Sequence, residues 1–273
     1  MNAIGTGGVD IRSGDALTLL ASNQIADTAS VIVNGAFGLG AFSETVAALT
    51  GSGTFTTAAG STLTIGATNN LDSEFNGVIS GTGTLAKSGS GTLTLTGANT
   101  FGGPGQTVTI NAGSLSVGSD GNLGNAANSI TLNSGSLLFT TGFATGRGFV
   151  LNGNGIINTE SVAVTLSGSM SGAGSLTKAG AGTLTLSGTN TYAGGTFITG
   201  GNSSALSISS ASNLGSGAIT LSGGSALIST ADLSLSHNFT LGSPGGGNQG
   251  DGQPVSGISM SPAAPRLSKH PVA

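Results

Sequence analysis

The chain has 273 residues but contains no cysteine, no tryptophan and only two histidines. Without cysteine it can form neither a disulfide framework nor a cysteine-ligated metal site. Catalysis that depends on histidine would have to use His237 or His270. We interpret His237 as a strand-end or turn residue and His270 as a solvated residue near the C-terminus, so neither is predicted to be catalytic.

Charge is also scarce, with 6 lysines and arginines against 10 aspartates and glutamates and a net charge of −4. An ordinary globular chain is about one quarter charged. The missing basic footprint excludes nucleic acid as an expected partner. Residues 1–8 lack the basic and apolar regions of a signal peptide, and no apolar run approaches the length of a membrane helix. We therefore expect no export signal in this chain, which is either cytosolic or a piece of a longer exported protein.

Small and β-branched residues take the place of charge. The chain contains 51 glycines, 39 serines and 35 threonines. Hydrophobic residues still make up 37% of it and mean hydropathy is +0.28, which is not the composition of a disordered chain. The apolar residues are mostly Leu, Ile, Val and Ala, so a narrow core of small side chains is expected.

Short runs of alternating apolar and polar residues dominate positions 3–242. Successive side chains of a strand point to opposite faces, so the alternation predicts strands with one apolar face. Each run ends in Gly, Asn or Ser, which favour turns. The pattern predicts an all-β fold. Representative strand predictions are Thr62–Ile65, Thr92–Leu95, Thr107–Ile110, Ile130–Leu132 and Thr183–Leu186.

Internal repetition decides between β architectures. Residues 77–101 recur, with conservative changes, as residues 168–192, 91 positions later. A simple repeat with one apolar face per strand buries that face by stacking on its neighbours, which favours a parallel β-solenoid of about ten turns. A membrane β-barrel needs strands of about 9–11 residues and aromatic girdles, which are missing. An antiparallel sandwich would not explain the faithful repeat.

Two regions are expected. Residues 1–242 are predicted to form the solenoid, with its best repeats at 77–110 and 168–198. Residues 243–273 are predicted to be a disordered, Gly- and Pro-rich tail, because five of the six prolines lie there. The uncapped ends of such a solenoid invite strand pairing, so self-association through the ends is predicted.

The repeats carry equivalent polar residues. Lys87 and Lys178 occupy the same place, and we interpret both as solvated charges beside a turn rather than contacts to a partner or an anionic glycan. Asn99 and Asn190 are interpreted as turn residues, in an asparagine ladder along the solenoid.

Other candidate sites carry weaker signals. Phe101 and Tyr192 are interpreted as caps of the core rather than as platforms for sugars, and Asp72 with Glu74 as an exposed turn rather than an acidic catalytic pair. Gly5–Asp10 loosely resembles a calcium-binding nonapeptide but occurs once. Outward Thr-x-Thr pairs resemble those of an ice-binding solenoid, yet they look discontinuous in the sequence. No catalytic, cofactor-binding or metal-binding residue is predicted.

The segment 172–198 contains Leu-x-Lys-x-Gly-x-Gly-Thr-Leu-Thr-Leu followed by Gly-x-Asn-Thr-Tyr-x-Gly-Gly-Thr. This pattern resembles the autotransporter-associated β-strand repeat, also called the passenger-associated transport repeat, and it recurs in variant form at 81–110. The resemblance implies a right-handed parallel β-helix that is secreted or held at the surface of a Gram-negative bacterium. It also implies an N-terminal signal and a C-terminal outer-membrane translocator barrel. Neither is found in this sequence, so a passenger fragment is expected.

We therefore expect a structural passenger segment that acts as a β-helical stalk for secretion and surface display. Adhesion to a host-cell or glycan surface is a secondary expectation. The competing hypothesis is a polysaccharide-acting β-helix enzyme. A convergence of Asp72, Glu74 and a basic residue in one cleft would favour it.

Overall fold

The computed structural model describes residues 7–67 and 70–242, together with the backbone of Val255–Met260. It divides into two compact units, Met1–Leu137 and Leu138–Ala273. Strand Ser136–Phe139 crosses the boundary between the two units. The described residues contain about 11 turns of a parallel β-solenoid, close to the ten expected.

In the first unit, one turn passes through three short strands before the chain climbs to the next turn. Strands of neighbouring turns pair in parallel without register shifts, for example Val31 with Leu49 and Phe37 with Phe55. The strands on the first face are Val9–Ile11, Ser30–Val33, Ala48–Thr50, Ser73–Phe75, Thr92–Leu95 and Ser114–Val117. Those on the second face are Ala16–Thr18, Ala36–Gly38, Thr54–Thr57 and Val78–Gly81. Those on the third face are Glu44–Val46, Thr62–Ile65, Thr84–Lys87, Thr107–Ile110 and Ser129–Leu132.

The second unit has the same parallel organisation. Its first strand set is Ala144–Thr145, Val164–Leu166, Thr183–Leu186, Ala205–Ile208 and Ala226–Ser229. A second set is Phe149–Leu151 and Met170–Ser171. A third set is Asn154–Asn158, Ser175–Ala179, Thr196–Ile198, Ile219–Leu221 and Leu233–Leu241. Two short 3-10 helices, Asp120–Leu123 in the first unit and Ala211–Asn213 in the second, replace strands at corners.

Alternation along each strand separates the core from the surface. In strand Thr62–Ile65, Leu63 and Ile65 are buried, whereas Thr62 and Thr64 are partly exposed. Neighbouring turns place like residues on one another, as where the rings of Phe37 and Phe55 lie 4.8 Å apart edge to face. The core is therefore a column of stacked side chains inside each unit, and burial of this apolar area is the main stabilising term.

The all-β, parallel solenoid prediction is confirmed, and the five strands predicted in the sequence are present with at most one residue added at an end. The right-handed winding stays a prediction. Among the described residues, no helix has the length and apolar character needed to span a membrane.

The predicted tail, 243–273, lies largely outside the described residues. Its described part, Val255–Met260, is a strand that pairs antiparallel with Leu233–Leu241, and the register shifts between Leu235 and Asn238. The sequence did not indicate this strand. It lies along an edge of the last solenoid strand that would otherwise be open.

Candidate functional site

The lysine of each repeat lies inside the solenoid. Lys178 has no exposed side-chain surface (0%), and its Nζ donates hydrogen bonds to the carbonyls of Ala179 at 2.9 Å and Gly180 at 2.8 Å. A third hydrogen bond joins Nζ to Ser204 Oγ at 3.0 Å. We call this arrangement a lysine corner. The charge satisfies carbonyl groups that point inward where the chain leaves the strand.

Lys87 forms the equivalent lysine corner in the first unit. It is 1% exposed, and its Nζ donates to the carbonyls of Ser88 and of Gly89, the latter at 3.0 Å. The interpretation of Lys87 and Lys178 as solvated charges is therefore wrong. Strand parity carried the signal: in each strand the lysine stands two positions after a core leucine, so it must point inward.

Burial changes the protonation of both lysines. It lowers the pKa of Lys178 to about 8, because the surrounding protein solvates the ammonium less well than water does. Burial also lowers the pKa of Lys87, although the nearby Asp72 carboxylate acts in the opposite direction. Both amines are enclosed by the chain, so their position suits a structural role at the corner.

A second kind of corner is built on asparagine. The side-chain oxygen of Asn213 accepts hydrogen bonds from the backbone N–H groups of Ser209 at 3.0 Å and Ser210 at 2.8 Å. Its Nδ2 donates to the carbonyl of Gly188, one turn away, at 3.0 Å. Asn122 makes the same three contacts with residues 91 positions earlier. We call Asn213 and Asn122 the asparagine corners.

Asn99 and Asn190 each connect an asparagine corner to a strand that lies earlier in the chain. Asn99 Oδ1 accepts from the backbone N–H of Ile79 at 2.8 Å, and its Nδ2 donates to the carbonyl of Asn122 at 2.7 Å. Asn190 accepts in the same way from Met170 at 2.7 Å and donates to the next asparagine corner. Both asparagines lie in the connections that follow the strands Thr92–Leu95 and Thr183–Leu186, although neither occupies a turn as predicted. The ladder runs from side-chain amides to backbone groups of adjacent turns rather than from amide to amide.

The aromatic residues after these asparagines are core residues, as predicted. Phe101 and Tyr192 are both fully buried. The Tyr192 hydroxyl lies 2.7 Å from Thr196 Oγ1, and burial raises the pKa of Tyr192. Neither ring is offered to a sugar.

Asp72 and Glu74 are exposed, as predicted, but they do not form the predicted turn: Asp72 immediately precedes the strand Ser73–Phe75, and Glu74 lies within it. Asp72 Oδ1 accepts a hydrogen bond from the backbone N–H of Thr92 at 2.6 Å. Its charge reaches Lys87 electrostatically. That ammonium, however, is buried against backbone carbonyls, so the structure does not bring the three groups together in an accessible cleft.

Two further candidates are also placed. Residues 5 and 6 of the calcium-like motif lie outside the described residues, while Asp10 forms an exposed ion pair with Arg12 at 3.5 Å. In 7–67 and 70–242, no cluster of three or more His, Cys, Asp or Glu side chains could hold a metal ion.

His237 lies within the strand Leu233–Leu241 rather than at its end, and its Nε2–H donates to the carbonyl of Gly215 at 2.7 Å. His270 is outside the described residues.

Sequence reasoning missed a buried acid. Glu44 is 1% exposed, and its carboxylate accepts hydrogen bonds from the backbone N–H groups of Gln24 at 2.8 Å, Ile25 at 3.3 Å and Thr45 at 3.2 Å. Burial raises the pKa of Glu44 despite these bonds, and Asp27 adds to the rise. The parity of its strand, where Val46 is buried two positions later, is the signal that could have found it.

The outward side of the third face of the first unit is an ordered hydroxyl surface, which we call the threonine face. Its five strands lie in register, so outward residues form two straight columns. The first column is Thr62, Thr84, Thr107 and Ser129, and the second is Thr45, Thr64, Ala86, Thr109 and Thr131. The Thr-x-Thr pairs Thr62/Thr64 and Thr107/Thr109 are separated by the strand Thr84–Lys87, which has Ala86 at the second outward position, so the array is discontinuous here as expected.

A family model described as the passenger-associated-transport-repeat matches residues 85–117 and 176–202. The matched segments contain both lysine corners, both linking asparagines and both buried aromatics. No curated protein and no solved structure shows a significant match to the chain.

Proposed function

The chain carries the passenger-associated transport repeat at 85–117 and 176–202, and from this we propose that it is a structural passenger segment of an autotransporter-type surface protein. In this role it is a β-helical stalk that supports secretion and holds other parts of the protein outside a Gram-negative cell. The single observation that carries the proposal is that the two matched segments place a buried lysine and a linking asparagine at equivalent positions of a parallel solenoid.

The solenoid is suited to folding during export. Each turn hydrogen-bonds to the previous one, and the corner side chains find their partners within a short stretch of chain, such as Asn213 with Gly188. A turn that has emerged can therefore fold on the turn before it, as expected for a quasi-one-dimensional array. Folding outside the membrane would then oppose backward sliding of the chain.

Surface display can be tested in Gram-negative cells. The full chain is placed between a signal peptide and an outer-membrane translocator barrel, with an epitope at its N-terminal side. The proposal predicts that antibody or external protease reaches the epitope on intact cells and that a protease-resistant solenoid fragment remains. Retention of the epitope inside the cell would contradict it, provided that an unrelated passenger on the same barrel reaches the surface.

Adhesion is the finer part of the proposal. An exposed wall with few charges offers hydroxyl and amide groups for contact with glycans on a host or neighbouring cell. Cells that display the chain are expected to bind glycan-coated surfaces more than cells that display the barrel alone. Equal binding by the two strains would contradict the adhesion proposal without affecting the proposed stalk role.

The polysaccharide-acting enzyme is the less favoured alternative. It would rely on Asp72 and Glu74 as acid and base, with a basic residue to bind the substrate. Lys87, the basic residue that Asp72 influences, donates its ammonium protons to corner carbonyls. The repeats and this sequestered lysine together favour a structural passenger.

A further inference from the structure

We propose that Asn76–Gly77 is a self-modifying site, at which the side chain of Asn76 cyclises onto the backbone nitrogen of Gly77 and deamidates while the protein stays folded. The inference goes beyond the stalk role and does not depend on it. The sequence contains four Asn-Gly steps, at 34–35, 76–77, 152–153 and 154–155. Glycine has no Cβ to hinder the attack, so all four carry the sequence signal. The structure separates 76–77 from its counterpart 34–35.

Asn34–Gly35 and Asn76–Gly77 lie at the same kind of corner, where the chain leaves the first face for the second. Each asparagine follows the last residue of a first-face strand, Ser30–Val33 or Ser73–Phe75, and each glycine precedes a second-face strand. Both asparagine side chains are exposed. The two steps therefore share sequence, corner and solvent access, so a difference in their reactivity has to come from their hydrogen bonds.

The backbone nitrogen of the glycine is the nucleophile, and its N–H must be free to lose a proton. The N–H of Gly35 donates to the carbonyl of Ile11 at 2.9 Å, and in the following turn the N–H of Gly53 donates to that of Val33 at 2.8 Å. In the part of the chain that the structure describes, the N–H of Gly77 donates no hydrogen bond. Its nitrogen can therefore be deprotonated without breaking a backbone hydrogen bond first.

The length of the preceding turn explains the free N–H. Three residues connect the first-face and second-face strands of that turn, whereas only Asn76 and Gly77 connect them in the next. The N–H of Asn76 donates to the carbonyl of Gly51 at 2.8 Å. The N–H of Val78 donates to the carbonyl of Gly53 at 3.1 Å. The longer connection has one residue without a counterpart, so these two bonds bracket Gly77 and leave its N–H without a carbonyl in register.

The side-chain amide of Asn76 is polarised for attack. Thr96 Oγ1, from the same corner one turn later, donates a hydrogen bond to Asn76 Oδ1 at 2.5 Å. A hydroxyl donor on the amide oxygen makes Cγ more electrophilic and stabilises the oxyanion that forms when the nitrogen adds. At Asn34 the corresponding donor is the backbone N–H of Ser52 at 3.3 Å, which is a longer and weaker contact.

The reaction needs water as its only co-reactant. Gly77 N forms a bond to Asn76 Cγ, the Cγ–Nδ2 bond breaks, and ammonia leaves with the proton from Gly77 N. Water then opens the cyclic imide at either carbonyl to give aspartate or isoaspartate, and no atom is oxidised or reduced. Both products add a negative charge, and isoaspartate also adds one carbon to the main chain. The corner is tightly packed, since a Cβ on Gly77 would lie 2.0 Å from the carbonyl oxygen of Gly53, so the longer main chain should disturb the stacking of these two turns.

The test follows deamidation in the folded full chain. The protein is held in mildly alkaline buffer at body temperature and digested under acidic conditions. Mass spectrometry of the peptides then gives the rate of acid formation at Asn76 and at Asn34. Asn76 is expected to react severalfold faster, and an isoaspartyl methyltransferase should label part of its product. Equal rates, or a faster Asn34, would overturn the proposal.

The unfolded chain is the first control. In concentrated urea both steps lose their corner hydrogen bonds, so the two rates should converge. A ratio that persists in urea would show that the neighbouring sequence, rather than the fold, sets the difference, and it would also overturn the proposal.

A pair of matched variants tests the contact with Thr96. Thr96→Val keeps the β-branched shape but removes the donor, and the rate at Asn76 is expected to fall severalfold. Thr94→Val makes the same change at an outward position of the strand Thr92–Leu95, and the rate should stay unchanged. Equal urea midpoints would show that both variants fold alike. A rate in Thr96→Val equal to that of the parent chain would overturn the role assigned to Thr96.

Discussion

At residue scale, a buried ammonium group is the hydrogen-bond donor at each lysine corner. Lys178 uses its three protons on two carbonyls and one hydroxyl, so no donor is left without an acceptor. Burying a charge is costly unless it is hydrogen-bonded in this way. The lysine ammonium carries three donors at the end of one flexible side chain, which suits a corner with several acceptors in an otherwise apolar interior.

The lysine corners make stability depend on pH. The folded pKa of Lys178, about 8, lies below the ordinary value of 10.5. Between these two values the unfolded chain still holds a proton that the folded chain has released. Raising the pH therefore favours the folded state, by at most about 1.4 kcal/mol per pH unit for this group. Urea midpoints measured from about pH 7.5 to about pH 9.5 should rise.

Variants identify the source of this slope. Lys178→Met should reduce the rise, and the double variant Lys87→Met/Lys178→Met should flatten it. Tyr192 does not interfere, because its pKa is raised and it stays neutral in this range. Arg12→Met, at an exposed position, should leave the slope unchanged. A slope that survives in the double lysine variant would contradict the assignment.

Substitution at an asparagine corner is expected to lower the free energy of unfolding. Asn213→Ala removes the four hydrogen bonds of this side chain and leaves the carbonyl of Gly188 without its donor, so the free energy of unfolding should fall by about 2 kcal/mol. Chemical denaturation measures the change. Asn202→Ala, an exposed asparagine of the same unit, should change it by less than about 0.5 kcal/mol. Equal effects would mean that the corner contacts contribute nothing specific.

At the scale of single strands, the sequence predicted where the strands lie but not which strands pair with one another. Alternation located Thr62–Ile65 and Thr107–Ile110, because burial on one face needs a period of two. Which strands share a face depends on how many residues each connecting loop consumes, and loop lengths vary between turns. The threonine face therefore stayed hidden, although its Thr-x-Thr pairs were visible.

The site residues show the same division between what the sequence did and did not predict. Phe101 and Tyr192 were predicted as core residues from their chemistry alone, whereas Lys87 and Lys178 were placed in solvent for the same reason. For these lysines, the charge predicts an exposed side chain, whereas the alternation along the strand predicts a buried one. The lysines are buried, because every turn of the stack keeps the same alternation of inward and outward residues.

Strand connections depend on glycine at close approaches. Gly172 has φ +110°, and a Cβ there would lie 2.2 Å from the carbonyl oxygen of Leu151 in the neighbouring turn. Gly172→Ala should lower the free energy of unfolding by about 1–3 kcal/mol through backbone strain. Gly148→Ala is the control, because its Cβ would meet nothing closer than 3.9 Å. Thermal unfolding of the two variants should separate clearly, and coinciding transitions would contradict the steric argument.

At the scale of the whole molecule, we expect the ends of the strand stacks to govern association. Open strand edges pair with other chains unless something covers them. Val255–Met260 covers the outer edge of Leu233–Leu241, the last parallel strand of the second unit. Self-association through solenoid ends remains our expectation for this protein, and the added strand should limit it at that end.

Removing residues 243–273 tests this limit. The shortened chain should form larger assemblies than the full chain in light scattering at tens of micromolar, because the edge of Leu233–Leu241 becomes available. Replacing 243–254 with a Gly/Ser linker of equal length, which keeps Val255–Met260, should preserve the behaviour of the full chain. Identical size distributions for all three proteins would show that this edge does not control association.

The corners of the two repeats also have a hereditary consequence. Each copy supplies its own lysine, asparagine and aromatic residues together with the backbone groups that they contact. Unequal recombination between copies would add or delete 91 residues while every remaining corner kept a complete set of donors and acceptors. The reach of the protein can thus change in one genetic event without any compensating substitution. Natural alleles that differ in length by multiples of 91 residues would be the trace of such events.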